Sequence, residues 1–275
     1  MQGKTGSART PVDELLMIMA RLRDPQQGCP WDIKQTWQTI LPHTLEEVYE
    51  VADAVDRQDA PALCDELGDL LFQIVFMAQI AQEQGLFGFN DVVAGISAKM
   101  IRRHPHVFGD TVFSDERSQK QAWESIKQDE RSAKSEPDNF FAGIPTAMPA
   151  LRRSQKVQQR AARVGFDWDN WEQVIPKIHE ELDEVRDAVA QGESSARIEE
   201  EVGDVLMGAT NMARLLGVNA ENALRLSNHK FERRFLRVEA LLQAQGISLE
   251  DANLEQMENA WNLAKQEERQ VAAPE

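Results

Sequence analysis

The second half of this chain repeats the first, and no other feature limits its fold as strongly. Leu63, Leu67, Leu70, Leu71 and Met77 are matched 135 residues on by Ile198, Val202, Val205, Leu206 and Met212. Their spacings of four, seven and eight mark one apolar stripe of a helix. Superposed on that stripe, Glu66 and Asp69 recur as Glu201 and Asp204. Glu46-Glu47-x-x-Glu50 recurs as Glu180-Glu181-x-x-Glu184, 134 residues on. Lys99-x-x-x-Arg103 returns as Lys230-x-x-x-Arg234, Trp123-x-x-x-Lys127 as Trp261-x-x-x-Lys265, and Trp31-Asp32 as Trp168-Asp169. The drifting offset places small insertions and deletions in loops. Two tandem copies of one helical domain follow, and 275 residues suffice for both.

Strand signals are scarce, and apolar residues recur at helical spacing. Prolines and glycines delimit expected helices at about 11–23, 43–57, 61–84, 90–103 and 115–134. They resume at about 149–163, 171–190, 195–216, 219–244 and 252–270. The reading is all-α, with four-helix-type domains at 11–134 and 149–270 and a proline-bearing linker at 135–148. LLFQIVFMAQIA, from Leu70, is too short for a bilayer of about 30 Å and reads as a buried helix, so no membrane span is expected. The start, MQGKTGSARTPVDELL, has no apolar core of signal-peptide type. The only cysteines, Cys29 and Cys64, form no C-x-x-C pair, so a reducing cytoplasm is the expected compartment.

The charge pattern carries the chemistry. A net charge of −16 argues against a nucleic-acid binder, which needs a basic footprint. Residues three or four apart share a helix face, so Glu181 with Glu184, and Glu201 with Asp204, each form a carboxylate pair beside an apolar stripe. The short connection between the two helices favours an antiparallel pairing that brings all four together. Unit charges 4 Å apart repel by about 4 kcal/mol at an effective dielectric near 20. A hard divalent cation relieves this, and all-oxygen donors suit Mg²⁺, Mn²⁺ or Ca²⁺ better than zinc. The first copy holds the same set in Glu47, Glu50, Glu66 and Asp69. A di-iron centre would need Glu-x-x-His on two helices, and both copies have Glu-x-x-Asp. Gly3-Lys4-Thr5 lacks the upstream glycine of a phosphate loop. His104-Pro105-His106 reads as a structured loop, and Cys64 as an inert helix residue.

Lys230 and Arg234 share a face, as do Trp261 and Lys265. Lysine and arginine suit phosphate, while Trp261 is free either to stack on a base or to pack. The order E-E-x-x-E, E-x-x-D, K-x-x-x-R and W-x-x-x-K resembles the MazG nucleoside triphosphate pyrophosphohydrolases of the all-α NTP pyrophosphatase superfamily. GCPWD (28–32), HTLEEVYE (43–50), DELGDLLFQIVF (65–76), RRHPHVF (102–108) and VGFDWD (164–169) are similar to stretches of its two-repeat bacterial members. The resemblance implies a homodimer that hydrolyses NTPs to NMP and pyrophosphate with Mg²⁺. It implies Glu181, Glu184, Glu201 and Asp204 as metal ligands. It implies Lys177, Glu180, Arg197, Glu199, Glu200, Lys230, Arg234, Trp261 and Lys265 around the nucleotide. The family often carries Lys where Arg197 stands.

Glu180 is the first candidate to orient or deprotonate the attacking water. The first copy keeps its four carboxylates but places His43 at Lys177, Ala62 at Arg197, Cys64 at Glu199, Asp65 at Glu200 and Ser97 at Asn228. The second copy is therefore expected to be the main catalytic site. A helical scaffold with a structural cation site is the competing reading.

Overall fold

Local start signals explain most helix boundaries. In the computed structural model, which describes residues 9–115, 118–119, 122–123, 125–126, 130 and 139–271, every regular element is helical. Gly3-Lys4-Thr5, Lys127 and residues 135–138 of the expected linker lie outside the described residues. The chain divides at residues 130 and 131 into two compact units.

Unit 1 begins with α1 (Pro11–Leu22). Thr10 and Asp13 form a reciprocal capping box and Pro11 takes the first helical position, where a missing N–H costs nothing. A single turn, α2 (Pro30–Ile33), leads to α3 (Trp37–Asp56), which begins six residues before the expected start at 43. Pro42 lies inside α3 rather than ahead of it. It removes one ladder bond. Against that stand the Thr36 cap, the burial of Ile40 and an indole N–H of Trp37 that donates to the Met77 carbonyl at 3.0 Å. Next come α4 (Ala60–Glu83), α5 (Phe89–Arg103) and the one-turn α6 (Pro105–Phe108). Of the helix expected at 115–134, helical residues are described at 118–119, 122–123, 125–126 and 130. Met19, Ile40, Val75, Phe76 and Ile80 form the core, as the apolar run from Leu70 leads one to expect. Buried Arg23 fastens the α1–α2 loop to it. Its guanidinium donates to Glu83 at 2.6 and 2.8 Å and lies 5.2 Å over Phe76.

Unit 2 runs α7 (Ala150–Ala162), a 3-10 turn (Trp171–Gln173), α8 (Val174–Ala190), α9 (Ser195–Leu215), α10 (Ala220–Gln243) and α11 (Leu254–Val271). The α8–α9 hairpin corresponds to α3–α4. Both turns pass through the left-handed region at the same place, with Gln58 at φ 54° and Gly192 at φ 67°. Asp59 caps α4 and Ser194 caps α9. On α9 packs α7, whose Ser154 hydroxyl lies 2.7 Å from that of Thr210. A second hairpin, α10–α11, closes on Val238, Leu242 and Ala260.

The apolar stripes are only partly buried. Val202 and Leu206 are 43% and 50% exposed, and Leu67 and Leu71 are exposed too, whereas Glu181 and Glu201 are 7% and 2% exposed. The helices of each hairpin thus meet through the carboxylate side of the stripe, and part of the apolar side stays outside.

Candidate metal centre and its surroundings

A carboxylate side chain enters a helix hairpin only at a cost, because burial removes its hydration. In unit 2, Glu181 of α8 meets Glu201 and Asp204 of α9, each with an oxygen within 4.8 Å of the others. Glu184 joins them. Burial first, then the charges of Glu201 and Glu181, push its carboxyl above the usual range, and it shares a hydrogen bond with Glu201. In unit 1, Glu47 of α3 meets Glu66 and Asp69 of α4 within the same limit. Glu50 completes this set, hydrogen-bonded to both Glu47 and Glu66. Burial, then neighbouring acidic charge with Glu50 foremost, pushes both Glu47 and Glu66 upward.

Both sets fit a hard divalent ion. Mg²⁺–oxygen distances of about 2.1 Å put opposite ligands about 4.2 Å apart. Oxygen donors gathered within 4.8 Å are near that spacing. Among the described residues these are the groups close enough to hold a metal, and no histidine or cysteine belongs to them. His104 and His106 instead follow the loop reading. His104 ends α5 with Nδ1 2.7 Å from the Met100 carbonyl, and His106 Nε2 lies 3.0 Å from the Gln119 amide. Cys29 and Cys64 are free thiols.

Unit 2 surrounds its carboxylates with cations. Lys177 Nζ lies 3.0 Å from Glu180 and 2.9 Å from Glu181, and those hydrogen bonds, Glu181 first, raise its pKa. Arg197 pairs with Glu200 at 2.8 Å and also with buried Glu201. Glu199 is exposed one position away. Unit 1 has His43 beside Glu46 at 3.7 Å, and Ala62 in the place of Arg197. The backbones differ as well. Gly208 packs against Ile178, and a Cβ there would stand 2.9 Å from Ile178 Cγ1. Its counterpart in unit 1 is Gln73, whose amide donates to Glu47 at 3.5 Å.

Lys230, Arg234, Trp261 and Lys265 belong to the α10–α11 hairpin. Among the described residues no hydrogen bond or ion pair joins them to the α8–α9 carboxylates. Trp261 packs, with Phe231 at 5.3 Å and the Arg234 guanidinium 5.8 Å over its ring. Lys265 Nζ lies 3.4 Å from Asn262, and Lys230 is exposed. Sequence reasoning missed Glu268. It receives Arg234 at 2.7 Å and Arg233 at 2.9 Å, which hold its carboxyl below the usual range. Glu130 does the same for Arg103 and Arg102 in unit 1 and falls to about 2. The signal was present: Glu130 and Glu268 each stand seven residues after the repeated tryptophan.

Helical hairpins that gather four carboxylates between two helices, repeated in tandem and met in the second unit by lysine and arginine, define the class of all-α NTP pyrophosphohydrolases. The model of the MazG nucleotide pyrophosphohydrolase domain matches residues 35–108 and 170–238. These segments cover the carboxylate hairpin of each unit and stop short of Trp261. The chain belongs to the MazG family. It is 50% identical over 261 residues to the nucleoside triphosphate pyrophosphohydrolase of Escherichia coli K12, covering 94% of this chain and 98% of that protein. The nucleoside triphosphate pyrophosphohydrolase/pyrophosphatase MazG of Thermotoga maritima is 42% identical over 253 residues, 92% of this chain and 95% of that one. YabN, an uncharacterized protein of Bacillus subtilis, is 40% identical over 252 residues, 92% of this chain and 51% of its own length.

Proposed function

We propose that the protein is a Mg²⁺-dependent nucleoside triphosphate pyrophosphohydrolase, broad over NTPs and dNTPs, that serves nucleotide-pool control in the cytoplasm. The observation that carries this reading is the four-carboxylate set, with Glu181 and Glu201 buried in it and Lys177 and Arg197 already placed on it. Glu181, Glu184, Glu201 and Asp204 would hold Mg²⁺, or Mn²⁺ by the same chemistry. The bound ion supplies charge neutralisation at the α-phosphate and lowers the pKa of water.

The chain's own groups do the rest. Glu180, exposed beside Lys177, orients the attacking water and takes its proton. The water oxygen bonds to the α-phosphorus. The bond from that phosphorus to the bridging oxygen breaks, and pyrophosphate leaves with the electron pair. Lys230, Arg234 and Lys265 neutralise the departing charge, while Arg197, Glu199, Glu200 and Trp261 line the nucleotide. Unit 2, with the domain at 149–270, is the main catalytic unit in this reading, and the domain at 11–134 the lesser one. A homodimer covers the exposed side of the stripes, Leu67 and Leu71 in one unit and Val202 and Leu206 in the other.

Incubation with mixed NTPs, with and without Mg²⁺, tests the reaction. NMP and pyrophosphate in the presence of metal alone support it. NDP with orthophosphate contradicts it, and the absence of any release favours the scaffold reading.

A further inference from the structure

One carboxylate in each unit ties two adjacent arginines to the next helix, and the two ties differ in what they leave open. In unit 2, Glu268 Oε1 accepts from Arg233 Nε at 3.0 Å and Nη2 at 2.9 Å. Its other oxygen, Oε2, accepts from Arg234 Nε at 2.7 Å. Arg234 is thereby fixed at its inner nitrogen, and the face of its guanidinium is backed by Trp261 at 5.8 Å. Trp261 is itself held by Phe231 and by the Val238, Leu242 and Ala260 core. Among the described residues, no hydrogen bond reaches either terminal nitrogen of Arg234. Those two nitrogens are the pair that grips phosphate oxygens side by side. In unit 1, Arg103 gives Glu130 both Nε, at 3.1 Å, and the terminal Nη2. Its fork is already spent on a carboxylate.

We propose that Glu268 is a positioning residue for pyrophosphohydrolysis. It holds Arg234 by the inner nitrogen so that the two terminal nitrogens face a phosphate of the nucleotide, and the matching clamp in unit 1 is closed. This rests on the reading that Arg234 contacts nucleotide. Glu268 itself touches no phosphate, since its charge would repel one. Its effect passes through the geometry of Arg234. A free arginine on a helix samples many rotamers and loses that freedom on binding. The clamp removes much of that freedom in advance.

The test measures kcat and KM for an NTP with Mg²⁺, alongside thermal unfolding, for Glu268→Gln, Arg234→Ala, the double variant and Glu130→Gln. Glu268→Gln is expected to raise KM about tenfold, the scale of one charge-assisted hydrogen bond, with kcat nearly unchanged. Arg234→Ala should raise KM at least as much. The double variant should be no worse than Arg234→Ala, because the carboxylate then has nothing to position. Glu130→Gln should leave KM where it was. If Arg234→Ala leaves KM unchanged, the premise falls and the proposal with it. If Arg234→Ala raises KM while Glu268→Gln does not, the nucleotide reading stands and the clamp is overturned. A multiplicative loss in the double variant, tracking lowered thermal stability, reduces Glu268 to a structural tie and also overturns it, as does an equal KM increase from Glu130→Gln.

Discussion

In unit 2 the two most deeply buried carboxylates, Glu181 and Glu201, are each met by a cation, Lys177 or Arg197, while in unit 1 the matching positions hold His43 and Ala62. The acidic ring is the same in both. What changes is the counter-charge. Glu47 and Glu66 are pushed toward protonation by burial and by each other's neighbours. In unit 2 this upward push is seen at Glu184, whose cause includes an opposing contribution from Lys177. Four carboxylates suffice to hold an ion. They do not suffice to hold an ion together with a polyanionic triphosphate chain, for which extra positive charge must be at hand. Under the proposed function the contrast ranks the units: both would hold an ion, and the second would carry most nucleotide turnover.

The largest effect tests that ranking directly. Glu184→Ala is expected to cut pyrophosphate release by about a hundredfold or more, the usual range for a lost ligand or charge-stabilising group. Glu50→Ala should cost several-fold at most, and a larger loss from Glu50→Ala inverts the ranking.

Next in size is a packing difference. Gly208→Ala would drive a methyl to 2.9 Å from Ile178 Cγ1 and widen the α8–α9 hairpin that sets the carboxylate spacing. A loss of about 1–3 kcal/mol is expected from overpacking, with weaker Mg²⁺ binding by calorimetry. Trimming the partner, Ile178→Ala, should restore the spacing in the double variant. Unit 1 already carries Gln73 at this position, so the two hairpins do not share the constraint.

A smaller effect separates the arginine clamps by pH. Glu130 has a folded pKa of about 2, below its unfolded value, so its contribution to stability is complete above the unfolded value of about 4.3 and fades as pH falls through 2. The gap in melting temperature between the wild type and Glu130→Gln should therefore close as acid is added across that window. A gap that persists below pH 2 would mean that the carboxylate charge is not what stabilises the clamp. Glu268 is lowered in the same direction, by Arg234 first and then Arg233, and its gap should close similarly.

The smallest effect concerns the matched turns. Gln58 holds φ 54°, a region that glycine occupies freely, as Gly192 does in the other unit. Gln58→Gly should raise stability by up to about 1 kcal/mol, and Gly192→Ala should lower it by a similar amount, both read from urea unfolding. Equal and opposite signs would establish that the turns are equivalent; a destabilising Gln58→Gly would break the equivalence.

Much of the fold could be read without coordinates because it is local. Periodic Leu, Val and Ile, capping Thr10, Asp59 and Ser194, and the glycines after helix ends act within a few residues, so the main helices fell near their expected bounds. Pro42 misled because a proline inside a helix costs only what surrounding burial can offset, and Trp37 and Ile40 supply that burial from outside the segment. The pairing of Glu181 with Glu184 and of Glu201 with Asp204 was legible for the same reason, since a face of a helix is fixed by spacing. Glu130 and Glu268 were missed because each acts across two helices and looks like one more surface acid in an acidic chain.

The sequence by itself determined the duplication, the helices, the carboxylate pair on each helix and the chemistry of oxygen donors, because each depends on residue type and on spacing along one chain. Tertiary structure alone decided which side of each stripe went inside, leaving Glu201 buried and Val202 exposed. It also decided that Lys177 and Arg197 sit on the ring while Lys230, Arg234, Trp261 and Lys265 stand on a separate hairpin. Helix spacing fixes direction around one axis, whereas contact between helices depends on how closely two axes approach, and that is set by side chains such as Ile178 and Gly208 far apart in the chain.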